Sequence, residues 1–138
     1  MPKRRIRNET RLETSTQSNE RRKRLLKIAA SLPEAEALPC GSRNEHLAIQ
    51  VRKKTFAYYM FDHHGDGLIA LACKAAPGAQ SDLVREDPRT YFVPAYLGSK
   101  GWVGARLDLP RVNWNQVAYL LQHAYRMSAP RALSGPAL

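Results

Sequence analysis

The side chains with the clearest chemical purpose are cations and aromatics gathered at two chain reversals. Arg52, Lys53 and Lys54 fall between two alternating apolar runs, which puts them at a hairpin tip. Lys100 lies inside Gly98-Ser-Lys-Gly101, a second expected tight reversal, because glycine reaches positive φ without steric cost. Ammonium and guanidinium groups so placed suit phosphate oxygens, contacts that position a protein on nucleic acid without reading its sequence. Arg106 follows on the next extended segment, and Tyr96 and Trp102 flank the glycine reversal. Aromatics beside lysines can stack on unpaired bases, whereas strand aromatics also fill cores. Tyr96 and Trp102 are the two expected to be partly exposed. The candidate nucleic-acid-binding set is therefore Arg52, Lys53, Lys54, Tyr96, Lys100, Trp102 and Arg106, against the plainer reading of two solvated, charged turns.

Other chemistry finds less support. Asp62, His63, His64 and Asp66 could approach a metal ion within a turn, but a good zinc site needs four well-placed ligands. A solvated polar turn is the simpler reading, and no metal or cofactor is expected. A serine or cysteine nucleophile needs a base and an orienting acid. The histidines are His46, His63, His64 and His123, and the pairing of Cys40 with His46 has no motif around it. Gly98-Ser-Lys-Gly101 has the glycine spacing of a phosphate-clamping GxxG, but it joins extended segments rather than helices. No GK[ST] opens a helix as a P-loop would. The expectation is a protein that works by binding and catalyses no reaction.

Charge supports an anionic partner and also shows where the charge is held. The 138 residues carry 22 Lys and Arg against 12 Asp and Glu, a formal net charge of +10. Residues 1–30 contain ten basic and three acidic side chains, and the remaining 108 contain twelve and nine. Most of the excess thus belongs to the N-terminal arm, which can attract nucleic acid without a fold-specific site. Cys40 and Cys73, the only cysteines, are expected as free thiols in a reducing compartment. No apolar run approaches the roughly 20 residues needed to span a bilayer. A cytoplasmic protein with no membrane partner is expected, with monomer and dimer both open.

The elements that must position these residues follow from periodicity. Residues 1–17 are too polar to repay ordering and are expected to be disordered. A helix after Ser18 carries Leu25, Ile28, Ala29 and Leu32 on one stripe, although Arg21 to Arg24 set cations against its dipole. Short strands are expected at 35–39, 47–51, 56–61 and 68–74, a helix between Pro77 and Asp87, and a strand pair at 91–95 and 101–108. Asn113 is a strong N-cap, Gln116 completes a capping-box variant, and Trp114 to Tyr125 trace the apolar face of a last helix. The order α-β-β-β(-β)-α-β-β-α predicts an α+β two-layer sandwich, one antiparallel sheet with helices on one face. The domain is expected to occupy 18–133, leaving a loose tail at 134–138.

Four stretches resemble the MmcQ/YjbR family of small bacterial proteins. They are Leu26-Lys-Ile-Ala-Ala-Ser-Leu-Pro33, Val51-Arg-Lys-Lys-Thr-Phe-Ala57, Pro94-Ala-Tyr-Leu-Gly-Ser-Lys-Gly-Trp-Val103, and Asn113-Trp-Asn onward to Ala129-Pro130. Together they span about residues 21–133, and the last two are the specific pair. The resemblance implies a fold related to double-wing and frataxin-like architectures, and a DNA-binding role. The basic arm and the His63-His64 turn are departures from the pattern and inherit no role from it. Frataxin-like iron binding would want a crowded acidic edge, whereas the first helix here is basic. The resulting expectation is weak, phosphate-directed contact with nucleic acid, DNA in the first place. The alternative is a protein-interaction or chaperone-like adaptor using the sheet face.

Overall fold

Alternation of side chains builds the sheet. The structure, a computed structural model, describes residues 18–62 and 67–134, with the side chain of residue 134 outside that description. Six strands form: β1 (Ala35–Cys40), β2 (His46–Val51), β3 (Lys54–Phe61), β4 (Ile69–Cys73), β5 (Tyr91–Phe92) and β6 (Val103–Arg106). They lie in the order β1-β2-β3-β4-β6-β5, each neighbouring pair antiparallel. Leu47 faces Tyr59 and Tyr59 faces Leu71, while Ala57 faces Cys73 and Cys73 faces Val103. These rungs put the large apolar groups of four strands on one face. At Ile49/Gln50 the register slips, because Ile49 pairs with Ala57 but Gln50 with Thr55. Phe56 is the extra residue of a β-bulge, so both it and Ala57 are fully buried despite being adjacent.

Two helices cover that face. Helix α1 (residues 18–30) brings Leu25, Ala29 and, just beyond its end, Leu32; α3 (Trp114–Ser128) brings Val117, Leu121, Ala124 and Tyr125. The Arg24 guanidinium lies 4.9 Å from the Trp114 ring, and the Tyr125 hydroxyl donates to the Pro33 carbonyl at 2.8 Å. The two helices therefore run in the same direction, start beside start. These contacts also resolve the unfavourable cations at the start of α1. Arg21 donates from Nε to the Leu107 carbonyl at 2.8 Å, tying α1 to the chain after β6. The Ser18 and Tyr59 hydroxyls hydrogen-bond each other, and the Tyr59 hydroxyl also reaches the Ser18 carbonyl at 3.1 Å. Helix α2 (Ala79–Glu86) packs along β5, and a short α4 (Arg131–Ser134) follows α3.

The expected α+β sandwich is thus the observed architecture, with one correction. The Gly98–Gly101 segment is not a tight hairpin. β5 ends at Phe92, β6 begins at Val103, and ten residues separate them. Buried Pro94, with no N–H to give to a ladder, stops the strand early. The connection then closes on itself: Gly98 N–H donates to Pro94 and Trp102 N–H to Leu97, around a single 3₁₀ turn at Gly98–Lys100. The expected disorder of 1–17, most of the Asp62–Gly67 turn and most of the tail fall outside the described residues. At the edges of that turn, Gly67 N–H donates to Asp62 Oδ1 at 2.7 Å and Asp62 N–H to Leu68 O at 2.8 Å. Among the described residues, no helix is long and apolar enough to cross a membrane.

Candidate nucleic-acid interface

The β2–β3 connection is as short as a hairpin allows. Val51 pairs with Lys54, leaving Arg52 and Lys53 as the two loop residues with φ of 46° and 66°. Positive φ at both positions is the type I′ geometry that matches strand twist, and Asn-Gly is the sequence that adopts it most cheaply. Here two long cationic side chains occupy left-handed positions, at about 1 kcal/mol or more each. Arg52, Lys53 and Lys54 are all exposed. Arg52 Nη2 lies 3.0 Å from Glu34 Oε2, so part of its charge is already answered. Lys53 and Lys54 carry no such pair among the described residues.

Strand register fixes the relation of this tip to the second basic segment. The β6 rung partner of Cys73 is Val103, and that of Cys73 on β3 is Ala57, three residues from Lys54. Phe92 faces Gly104. The β5–β6 connection therefore leaves and re-enters the sheet at the same end as the Arg52–Lys53 turn. β3 and β6 are two ladders apart, about 10 Å at the usual strand spacing. Lys100 is exposed, in the 3₁₀ turn of that connection.

The remaining predicted residues are placed differently. Trp102 is only 7% exposed, which overturns the expected partial exposure. Its ring tilts against Tyr58 at 5.9 Å between centroids, on the sheet face away from α1 and α3. Ala48, Ala70 and Ala72, small and buried, leave room there for the large rings. Gly104 serves the same purpose, since a Cβ on it would meet the Phe92 ring at 2.5 Å. Tyr96 is 80% exposed, but its segment folds back over the outer sheet face rather than projecting from the sheet end. Ala95, Tyr96 and Leu97 there border a recess of about 270 Å³ with Cys40, His46 and Met60. Arg106 is at the opposite end of β6 from Trp102, bound through Nε and Nη2 to Asp108 at 3.1 and 3.0 Å. Arg52, Lys53 and Lys54 belong to one turn, the connection that carries Lys100 joins the sheet at the same end, and Arg106 is at the other end of β6.

Cys40 and His46 are register partners, the one juxtaposition with a catalytic look. Its electrostatics oppose that use. Burial, helped by the Glu45 carboxylate, pushes the Cys40 thiol up, away from the thiolate a nucleophile requires. His46 Nδ1 accepts from Phe61 N–H at 3.1 Å and Nε2 faces Glu45 Oε1 at 3.3 Å, so both ring nitrogens are engaged. Among the described residues, no three His, Cys, Asp or Glu side chains gather around a common metal position. Exposed cations outside the candidate set include Lys23 and Lys27 on α1, and Arg89 and Arg111 beside the β5 edge. Helical spacing indicates the first pair; the second pair converge only through tertiary contact.

A family model described as YjbR matches residues 30–127, a stretch that includes the β2–β3 tip, the β5–β6 connection and nearly all of α3. The chain belongs to the YjbR family. The YjbR fold also relates it to a solved structure, the Deinococcus radiodurans protein DR2400, whose crystal structure carries the family-model domain DUF419. The two share 23% identity at a TM-score of 0.59, covering 73% of this chain and 72% of that one. At that identity the likeness is one of fold. No curated protein matches the chain significantly.

Proposed function

We propose that this YjbR protein binds nucleic acid through phosphates, using Lys53, Lys54 and Lys100 at one end of the sheet, with Arg52 in support. The observation carrying this reading is the shared end. A two-residue turn and a ten-residue connection, far apart in sequence, join the sheet at the same end, and both carry exposed lysines. Trp102 supports the site by holding the connection down and is not a stacking platform. Tyr96 is exposed but displaced from the tip, so the reading gives it no base contact. Arg106, locked by Asp108, plays no part. The protein acts by binding, with no reaction of its own, in a cytoplasmic setting. Phosphate contact alone does not choose between DNA and RNA, and DNA is the first partner to test.

The test is fluorescence anisotropy of the full chain with duplex and single-stranded oligonucleotides over a range of salt. Three phosphate contacts give a log–log slope of about −2.7 on duplex DNA, at roughly −0.9 per contact. Substituting Lys53, Lys54 and Lys100 together by alanine should remove most of that slope for every sequence alike. An unchanged slope would move the interaction to the N-terminal arm or to α1. The adaptor reading, with the sheet's outer face as the surface, has the recess beside exposed Tyr96 in its favour. Partners that survive nuclease treatment in a pull-down would favour it over nucleic acid.

A further inference from the structure

We propose that the cleft between the β5 edge and the start of α3 binds a small organic oxyanion, a carboxylate or phosphate monoester on a compact apolar body. The inner part of the cleft has a volume of about 240 Å³. It continues through Asp87, Thr90 and Arg111 into a shallower recess of about 340 Å³ that Arg89 and Pro110 border. The inner wall is apolar, from buried Ala105, Val117 and Leu120 together with Val112. Such a volume accepts a single small ring and little more, since sites for drug-sized ligands start at about 300 Å³.

The polar groups are at the mouth. Arg111 borders both parts of the cleft, and its side chain makes no hydrogen bond or ion pair among the described residues. A guanidinium in this state matches an oxyanion through paired, charge-assisted hydrogen bonds. Arg106 is less suited to that, because Asp108 holds its Nε–Nη2 edge and answers its charge. Asp87 is the opposing acid on the lining. Its bonds to Thr90, aided by the field of Arg89, hold its carboxyl below the usual range, so it stays ionised and already occupied. The Asn113 side chain accepts from Gln116 N–H at 3.2 Å, and the Gln116 side chain bonds the Tyr91 hydroxyl. These bonds fix the polar rim in advance of a ligand. The first-turn amides of α3 that Asn113 leaves uncapped add a favourable potential for negative charge. The combination of an apolar inner wall, a fixed polar rim and a guanidinium unpaired among the described residues selects an anion with an apolar body over a bare ion or a neutral ring.

The test is a two-dimensional amide NMR titration of the full chain with benzoate, phenyl phosphate, benzyl alcohol and inorganic phosphate. Benzoate or phenyl phosphate should give saturable shifts at residues 87–91 and 111–117, and the tighter of the two identifies the headgroup. Benzyl alcohol and inorganic phosphate should each bind about tenfold more weakly, the expected loss of one charged contact or of the apolar body. Arg111→Ala should weaken the anions by about tenfold with the rest of the spectrum undisturbed. Arg89→Ala should weaken them less, and Arg131→Ala, at an exposed position on α4, not at all. No saturable shift with either anion would overturn the proposal. So would equal binding of benzyl alcohol, equal binding of inorganic phosphate, or an Arg111→Ala protein that binds like the parent.

Discussion

At single residues the demands of stability and of the proposed binding can be told apart. Arg52 and Lys53 adopt left-handed backbone that glycine and asparagine take at lower cost. Replacing the pair with Asn-Gly should stabilise the fold by about 1 kcal/mol in urea denaturation. The same change should weaken oligonucleotide binding, so the two effects have opposite signs. Gly104 shows the reverse constraint. An alanine there drives a methyl into the Phe92 ring, and Gly104→Ala should cost about 1–3 kcal/mol, read as a lower denaturation midpoint. Trp102→Ala should cost about 3–5 kcal/mol by opening a cavity beside Tyr58, which would appear as lost soluble protein rather than as a folded protein defective in binding. Several of these roles were in principle readable from sequence. Arg106 and Asp108 are two apart in an extended stretch and so share a face, which marks them as partners. The burial of Trp102 was not readable, because it depends on the connection folding back onto Tyr58 of β3, beside small residues of β2 and β4.

At the scale of elements, alternation and capping were legible and irregularities were not. The polar-apolar pattern of 47–51 and 56–61 declares strands, and Asn113 declares the start of α3 by the bond it makes to Gln116 N–H. The bulge that buries Phe56 and Ala57 together leaves no local signal, since it answers the packing of Tyr125, edge-on to Phe56 at 5.7 Å. The β5–β6 connection misled because its glycines suggested a tight hairpin, while Pro94 had already ended the strand. The basic start of α1 looked unfavourable only without tertiary partners. Arg21→Ala should destabilise by about 1–2 kcal/mol through the loss of its charged bond to the Leu107 carbonyl, and Lys23→Ala, with no such bond, by far less. Cys73, fully buried at the end of β4, gives the core a pH dependence. Burial pushes its thiol up to about 12. Its contribution is complete below the unfolded value near 9 and is lost as pH rises toward 12, at about 1.4 kcal/mol per pH unit. The midpoint of thermal unfolding should therefore fall steeply above pH 9, and less steeply for Cys73→Ala. Equal falls in the two proteins would assign the alkaline loss to other groups.

For the whole molecule, the sheet has one face devoted to the core and one against which the β5–β6 connection folds back, and that connection joins the sheet at the same end as the β2–β3 turn. The fold was recoverable from sequence because strands, helices and the family-typical stretches agree with one another. The proposed interface was legible only in part, because tip position depends on register across four strands. The central claim is that Lys53, Lys54 and Lys100 act as one phosphate-binding group. Its most direct test is the salt dependence of duplex DNA binding by the full chain and by the triple alanine variant, both checked for unchanged thermal unfolding. The account predicts a slope of about −2.7 attributable to the three lysines, lost in the variant. A variant that binds with the parent's slope and affinity would contradict it.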